Sequence, residues 1–232
     1  MQSMEGTKGW ARLGGWMGIA WPVLFVAIIA VAGLIGPETH SAAEELAALG
    51  SPGSRRAEMF MTMLMAAAGL LGMGWCAGLN KLLQSGRPSR SGTLAMTFGV
   101  TGFAILAAMI VVQGSVFAGL GEQFGKLTSE TERSAAVAIF RALRRVDLGL
   151  DFTWDIFISA AMILFGVSML RNPHFGKVWG ISGILIAGFL FSRDIWSAPH
   201  PSDPDLSFFA LLWIAAVAIQ MLRRAAKLDG PG

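Results

Sequence analysis

Charged side chains are scarce in this sequence. They make up 14% of the residues, whereas a soluble globular protein carries about 25%. Hydrophobic residues account for 54%. A lipid bilayer demands such a deficit, because a charged side chain at its centre costs about 2.5–3.5 kcal/mol on insertion scales. The composition therefore favours an integral membrane protein.

Cysteine and histidine are scarce as well. The single cysteine, Cys76, excludes an intramolecular disulfide and a site built from several thiolates, and its apolar neighbours indicate a buried thiol. His40, His174 and His200 all lie in predicted loops, whereas membrane haem generally needs histidines within the spans. No H-E-x-x-H, P-loop or G-x-S-x-G motif occurs. We therefore predict no cofactor and assign no catalytic residue.

Long apolar stretches predict the fold. A spanning helix needs about 20 predominantly apolar residues, and continuous apolar runs favour helices over strands. Six stretches qualify, and Gly/Pro-containing turns separate most of them. We therefore expect an all-α, polytopic integral membrane protein in which residues 1–232 form a single transmembrane bundle. The six predicted spans are 13–36, 59–79, 93–120, 150–170, 178–196 and 206–222.

The longest connection between spans carries a further helical pattern. Ser129 and Glu132 form a capping-box pattern. After them, apolar side chains and arginines are mixed over 135–146. The pattern predicts an amphipathic surface helix near 130–146, which could also continue into the fourth span.

The distribution of charge predicts the orientation. With six spans both termini share a side, which then holds ten basic and two acidic residues, against eight basic and thirteen acidic residues on the other. The positive-inside tendency assigns the first side to the cytoplasm. The net charge of +3 follows from such loops, and without a compact basic face it does not indicate nucleic-acid binding.

Three aspartates lie in or next to the fourth predicted span. Asp147, Asp151 and Asp155 occur at four-residue intervals, and Ser159 continues the series. Residues at this spacing share one side of a helix. We call these four residues the carboxylate ladder, and Arg144 precedes it by three residues.

The fifth span ends in Arg193 and Asp194, which antiparallel packing would bring to the depth of Asp155. Gln113 falls toward the same end of the third span. One interpretation is that Asp155 and Arg193 form a structural ion pair. The other is that these groups line a polar pocket open to the outside, because ionisable residues within membranes often mark ligand or ion pathways.

Three functions remain open. The first is a non-enzymatic protein that binds or passes a small solute, proton or cation through an acidic extracytoplasmic pocket. The second is an accessory subunit that docks a partner membrane subunit or another copy of itself. The third is a membrane hydrolase or metalloenzyme that uses His40 and His200, whose loops share a side.

Three short motifs carry a resemblance. They are Asp151-Phe-Thr-Trp-Asp155, Arg171-Asn-Pro-His-Phe-Gly176 and Pro199-His-Pro201, with Arg-Leu-Gly-Gly at the start of the first span. Over roughly the C-terminal third, the chain resembles a group of bacterial six-helix membrane proteins of unknown function. The resemblance implies that architecture and the cytoplasmic (inner) membrane of a bacterium, and no reaction.

Overall fold

The computed structural model describes residues 4–35, 41–196 and 207–227. Over these ranges the chain is all-helical and has no strand, so the predicted fold class is confirmed at this level. A π-helical turn, Gln113–Phe117, lies between the fourth and fifth helices. The helices are α1 (Met4–Ile35), α2 (Ala42–Leu49), α3 (Pro52–Gly86), α4 (Arg90–Val112), α5 (Ala118–Phe124), α6 (Glu130–Met169), α7 (Lys177–Trp196) and α8 (Ser207–Lys227).

Within the described ranges, five helical segments are long and apolar enough to cross a membrane. Each overlaps one of the predicted spans, so the prediction of apolar helices long enough to span a membrane is confirmed for these five. The remaining predicted span, 178–196, coincides with α7. The five segments are Glu5–Ala30, Met59–Gly86, Arg90–Phe124, Glu130–Met169 and Phe208–Lys227.

The chain divides into two compact units. Unit 1 contains Met1–Val23, Gly69–Ala104 and Thr153–Gly232, and unit 2 contains Leu24–Ala68 and Ile105–Phe152. The long helices α1, α3, α4 and α6 contribute residues to both.

Unit 1 packs its helices through glycines. A Cβ atom at Gly14 of α1 would lie 2.7 Å from the Cα of Gly78 in α3. Likewise, a Cβ at Gly180 of α7 would lie 2.6 Å from the carbonyl oxygen of Gly166 in α6. Small residues let helix backbones approach this closely in a membrane. These glycines therefore serve contacts within the chain.

An aromatic junction also joins helices of unit 1. The Trp75 ring of α3 meets Phe165 of α6 and Trp213 of α8 edge-on, with centroid separations of 5.8 and 6.3 Å. Edge-to-face pairs of this kind add to the stabilisation that burial provides. The neighbouring Cys76 is 1% exposed and lies against Gly99 of α4, so the prediction of a buried thiol is confirmed.

Unit 2 contains a small hydrophobic cluster that joins α2, α5 and the first part of α6. The side chain of Ser41 caps α2 by accepting a hydrogen bond of 3.2 Å from the backbone N–H of Glu44. Gly50, directly after α2, and Gly121, in the middle of α5, allow the two backbones to touch. The buried members of the cluster are Leu46, Phe117, Phe124, Ala136 and Phe140.

The segment predicted as an amphipathic surface helix is the first part of α6. This helix has 40 residues and is therefore about 60 Å long, twice the thickness of the hydrocarbon core. Ala136 and Phe140 face the hydrophobic cluster, whereas Ile139 is 53% exposed. The segment thus has a buried and an exposed face, and its amphipathic character and its position at a membrane surface stay predictions.

Candidate functional site

The first carboxylate of the ladder is buried and held by two side chains. Asp147 is 4% exposed. Its Oδ1 accepts a hydrogen bond of 2.8 Å from Nε2 of Gln113, and its Oδ2 accepts one of 3.1 Å from the guanidinium of Arg144. A buried charge requires such partners, because desolvation otherwise disfavours its ionised form. We call this arrangement the Asp147 clamp.

Arg144 extends the clamp to a second carboxylate. Its other terminal nitrogen donates to Oε1 of Glu45 in α2 at 3.1 Å, and its guanidinium carbon lies 5.8 Å from the centre of the Phe117 ring. About half of the Arg144 side chain is exposed, whereas that of Asp147 is almost fully buried. One guanidinium therefore ties α2 to α6 and links the buried carboxylate of Asp147 to the more exposed one of Glu45.

The π-helical turn supplies the amide of the clamp. Gln113 begins the turn, and Phe117 ends it inside the hydrophobic cluster. Gly114 leaves the space that the Thr62 side chain of α3 occupies, and the Ser115 hydroxyl donates to the Val111 carbonyl at 2.6 Å. Single π-helical turns within α-helices frequently occur at functional sites. Here the turn directs Gln113 to Asp147.

The other members of the carboxylate ladder continue along α6. Asp151 and Asp155 are half-buried, and Ser159 is 4% exposed. The unbroken helix confirms their four-residue register on one side. Asp147 and Asp151 belong to unit 2, whereas Asp155 and Ser159 belong to unit 1.

Other predicted site residues are only partly described. Arg193 is half-buried in the last turn of α7, and its pairing with Asp155 stays a prediction. The side chain of Asp194 is outside the described part, as are His40 and His200. Among the described residues, no group of three or more histidines, cysteines or acids could hold a metal ion. The two-histidine site therefore stays an untested prediction.

A charged cleft lies beside the hydrophobic cluster of unit 2. It has a volume of about 610 Å³, within the usual range of ligand pockets, and Phe124 forms part of its wall. Arg133 lies over the Phe124 ring at 4.9 Å from the centroid. This cleft was not predicted from the sequence, although Arg133, Val137 and Arg141 share one side of α6 at four-residue spacing. Its lining residues are Ala43, Glu44, Ala47, Phe124, Glu130, Arg133, Ser134, Val137 and Arg141.

Polar contacts at the C-terminal ends of α3 and α6 were not predicted from the sequence either. The side chain of Gln84 donates to the carbonyl of Ser89 and accepts from its N–H, at 2.9 and 3.2 Å. The Ser89 hydroxyl accepts from the N–H of Gly92 at 3.1 Å and lies 2.6 Å from that of Ser168. A serine directly before a helix is an N-cap signal, so the role of Ser89 in starting α4 was readable from the sequence. Its partner in α6 was not.

No protein-family model, curated protein or solved structure matches the chain.

Proposed function

We propose that the chain is a six-span protein of a bacterial cytoplasmic membrane, with both termini in the cytoplasm. The charge distribution supports this placement, because the loops around 81–90 and 171–177 carry only basic charges. Contacts in unit 1 add support: Gly78 near the end of α3 meets Gly14 near the start of α1, and Leu222 near the end of α8 meets Gly15. The start of α1 and the end of α8 thus lie side by side, which supports an even number of spans.

In this membrane the protein binds or passes a small solute, proton or cation along the carboxylate ladder. The observation that carries this proposal is the burial of Asp147 at the first step of the ladder. Moving a carboxylate from water into an apolar helical protein costs free energy. Ionisable groups within membranes commonly serve ligand or ion pathways. Asp151, Asp155 and Ser159 offer further oxygen atoms at intervals of about 6 Å along the helix.

Cation flux into vesicles tests the ladder. Purified protein is reconstituted into vesicles, and the uptake of Na⁺, K⁺ and protons is followed with fluorescent indicators. We expect uptake above that of protein-free vesicles, its loss in Asp155→Asn, and its retention in Glu132→Gln. The control removes an exposed acid of the same helix outside the ladder. The same cation should raise the unfolding temperature of the wild type and not that of Asp155→Asn.

Two outcomes contradict the ladder proposal. In one, wild-type protein and Asp155→Asn show equal uptake. In the other, the wild type responds to none of the three cations, while Asp155→Asn only lowers the unfolding temperature. Asp155 then has a structural role alone, as in the ion-pair interpretation.

The charged cleft favours a second candidate function, the docking of a partner protein. Its rim combines Glu44 and Glu130 with Arg133 and Arg141, a mixture suited to polar recognition. A photo-crosslinking residue at Ser134 should form an adduct in cells that Arg141→Glu abolishes. The same crosslinker at Gly149, an exposed position on α6 away from the cleft, is the control. Adducts that are unaffected by Arg141→Glu would contradict docking at the cleft.

A further inference from the structure

The loop between α6 and α7 is fixed to two other helices of unit 1. Asn172 is 2% exposed, and its amide nitrogen donates to the carbonyl of Leu83 in α3 at 2.9 Å. Its amide oxygen accepts from the N–H of His174 at 3.0 Å. Gln220 of α8 donates to the carbonyl of His174 at 3.1 Å. These contacts set the position of the His174 imidazole.

The imidazole of His174 lies in a positive environment. Its Nε2 is 3.5 Å from the hydroxyl of Ser85, and a Cβ at Gly86 would lie 2.7 Å from its Cδ2. Arg224 lies four residues after Gln220 and therefore on the same side of α8. Burial and the positive charge of Arg224 both lower the pKa of His174. The loop thus holds the imidazole near a guanidinium whose charge disfavours protonation of the ring.

Arg224 carries a buried donor atom. Its Nε is buried and has no hydrogen-bond partner among the residues that the structure describes. The Arg224 side chain as a whole is only half-buried, and a carboxylate or a phosphate is the best partner for a guanidinium. Asp229 is the acid nearest to it in the sequence and lies outside the described ranges. The position therefore favours an anion.

The surroundings favour an anion that belongs to a membrane. Arg224 is in the last turn of α8, next to the ends of α3 and α6, two other helices of spanning length. Basic residues at the ends of membrane helices attract anionic lipid headgroups. The described basic residues in these end segments are Lys81, Arg87, Arg90, Arg171, Lys177, Arg223, Arg224 and Lys227.

We propose that Arg224 binds the phosphate of an anionic phospholipid beside His174, at the ends of α3 and α8. The apolar surfaces of these helices accommodate the acyl chains, and the guanidinium accepts the headgroup. Arg224 then recognises the phosphodiester by charge-assisted hydrogen bonds. A fully exposed basic residue, whose donors are hydrated, makes weaker contacts of this kind. This inference is independent of the carboxylate ladder.

Binding of phosphatidylglycerol to the full chain tests the proposal. Native mass spectrometry of protein in detergent compares phosphatidylglycerol with phosphatidylcholine. We expect Arg224→Gln to weaken phosphatidylglycerol binding about tenfold or more, because a charge-assisted contact is lost. The matched control, Arg223→Gln, removes the same charge from the exposed neighbour and should change binding by less than about threefold. Equal effects of the two changes would refute a specific site.

The pKa of His174, measured by NMR, provides a readout that needs no variant. Phosphatidylglycerol should raise this pKa in the wild type, because the phosphate offsets the charge of Arg224. In Arg224→Gln the pKa should already be higher and should no longer respond. No shift in the wild type would overturn the proposal.

Two controls identify the anion. Inorganic phosphate should neither displace the lipid nor shift the His174 pKa, and an equal response to it would overturn the assignment to a lipid. Asp229→Asn should leave lipid binding intact. If Asp229→Asn instead lowers the His174 pKa while the lipid has no effect on the wild type, Asp229 neutralises Arg224 and the proposal fails.

Discussion

Replacing Arg144 with alanine should destabilise unit 2 far more than an ordinary surface substitution. The change leaves the buried carboxylate of Asp147 with Gln113 as its remaining clamp partner. Breaking a buried ion pair costs about 3–5 kcal/mol. Because 45% of the Arg144 side chain is exposed, water replaces part of the lost interaction, and we expect about 2–3 kcal/mol.

Two further substitutions define the expected order. Gln113→Ala removes one hydrogen bond to a buried charged group and should cost about 1.5–3 kcal/mol. Glu45→Gln breaks only the outer arm of the network, where both partners are substantially exposed, and should cost about 0–1 kcal/mol. The inner contacts of Asp147 should therefore dominate.

Unfolding in mixed micelles at increasing mole fractions of a denaturing detergent, followed by circular dichroism, measures these free energies. A double-mutant cycle between Arg144→Ala and Glu45→Gln should give a coupling below about 1 kcal/mol. If Glu45→Gln costs as much as Arg144→Ala, the exposed arm stabilises the protein and the role assigned to the buried carboxylate is wrong.

Three other predictions use the same unfolding measurement. Gly180→Ala should destabilise the protein by about 1–3 kcal/mol, because its Cβ would meet the carbonyl of Gly166. Gly149→Ala, with open space around it, should instead stabilise the protein by up to about 1 kcal/mol. Equal effects of the two changes would contradict the close approach of α6 and α7. Asn172→Leu should cost about 1–3 kcal/mol, because it leaves the His174 N–H without its partner and removes one of the two hydrogen bonds to the Leu83 carbonyl, which keeps the one from the Arg87 N–H. A cost near zero would show that the loop is not anchored there. Because the pKa of His174 is lowered in the folded state, protonation favours unfolding: stability should fall as the pH drops below the ordinary histidine value of 6.5 and through the lower folded pKa. His174→Gln should reduce this slope between about pH 7 and pH 5, and an unchanged slope would assign it to other groups.

The sequence predicted the helices of spanning length because a bilayer imposes a simple rule of length and composition. The apolar runs overlapped α1, α3, α4, α6 and α8 and matched four of their ten ends to within three residues, whereas the other ends differed by five to twenty residues. The main difference is at α6, where polar and apolar residues mix before 150 and an apolar run follows. These patterns suggested two segments, although continuation into the fourth span was left open. No proline separates them, and the helix continues through Gly149 from Glu130 to Met169.

The sequence predicted which site residues share a face of a helix, but not which residues of other helices they contact. Helical spacing placed Asp147 and Arg144 near each other, since they are three residues apart. By contrast, Arg144 and Glu45 are 99 residues apart in the sequence. The contact of Gln113 with Asp147 depends on the π-helical turn, which hydrophobic periodicity does not reveal. Periodicity identifies a helical face, whereas packing decides what that face meets.

The burial of Cys76 has a practical consequence for mapping the orientation of the chain. A thiol that is 1% exposed and enclosed by neighbouring helices is shielded from water-soluble maleimides. The unsubstituted protein therefore should not react with the label, and Cys76 does not have to be replaced before a reporter cysteine is introduced. Single cysteines at the exposed positions Pro88 and Thr128 would label from opposite sides of an intact membrane if the proposed orientation holds.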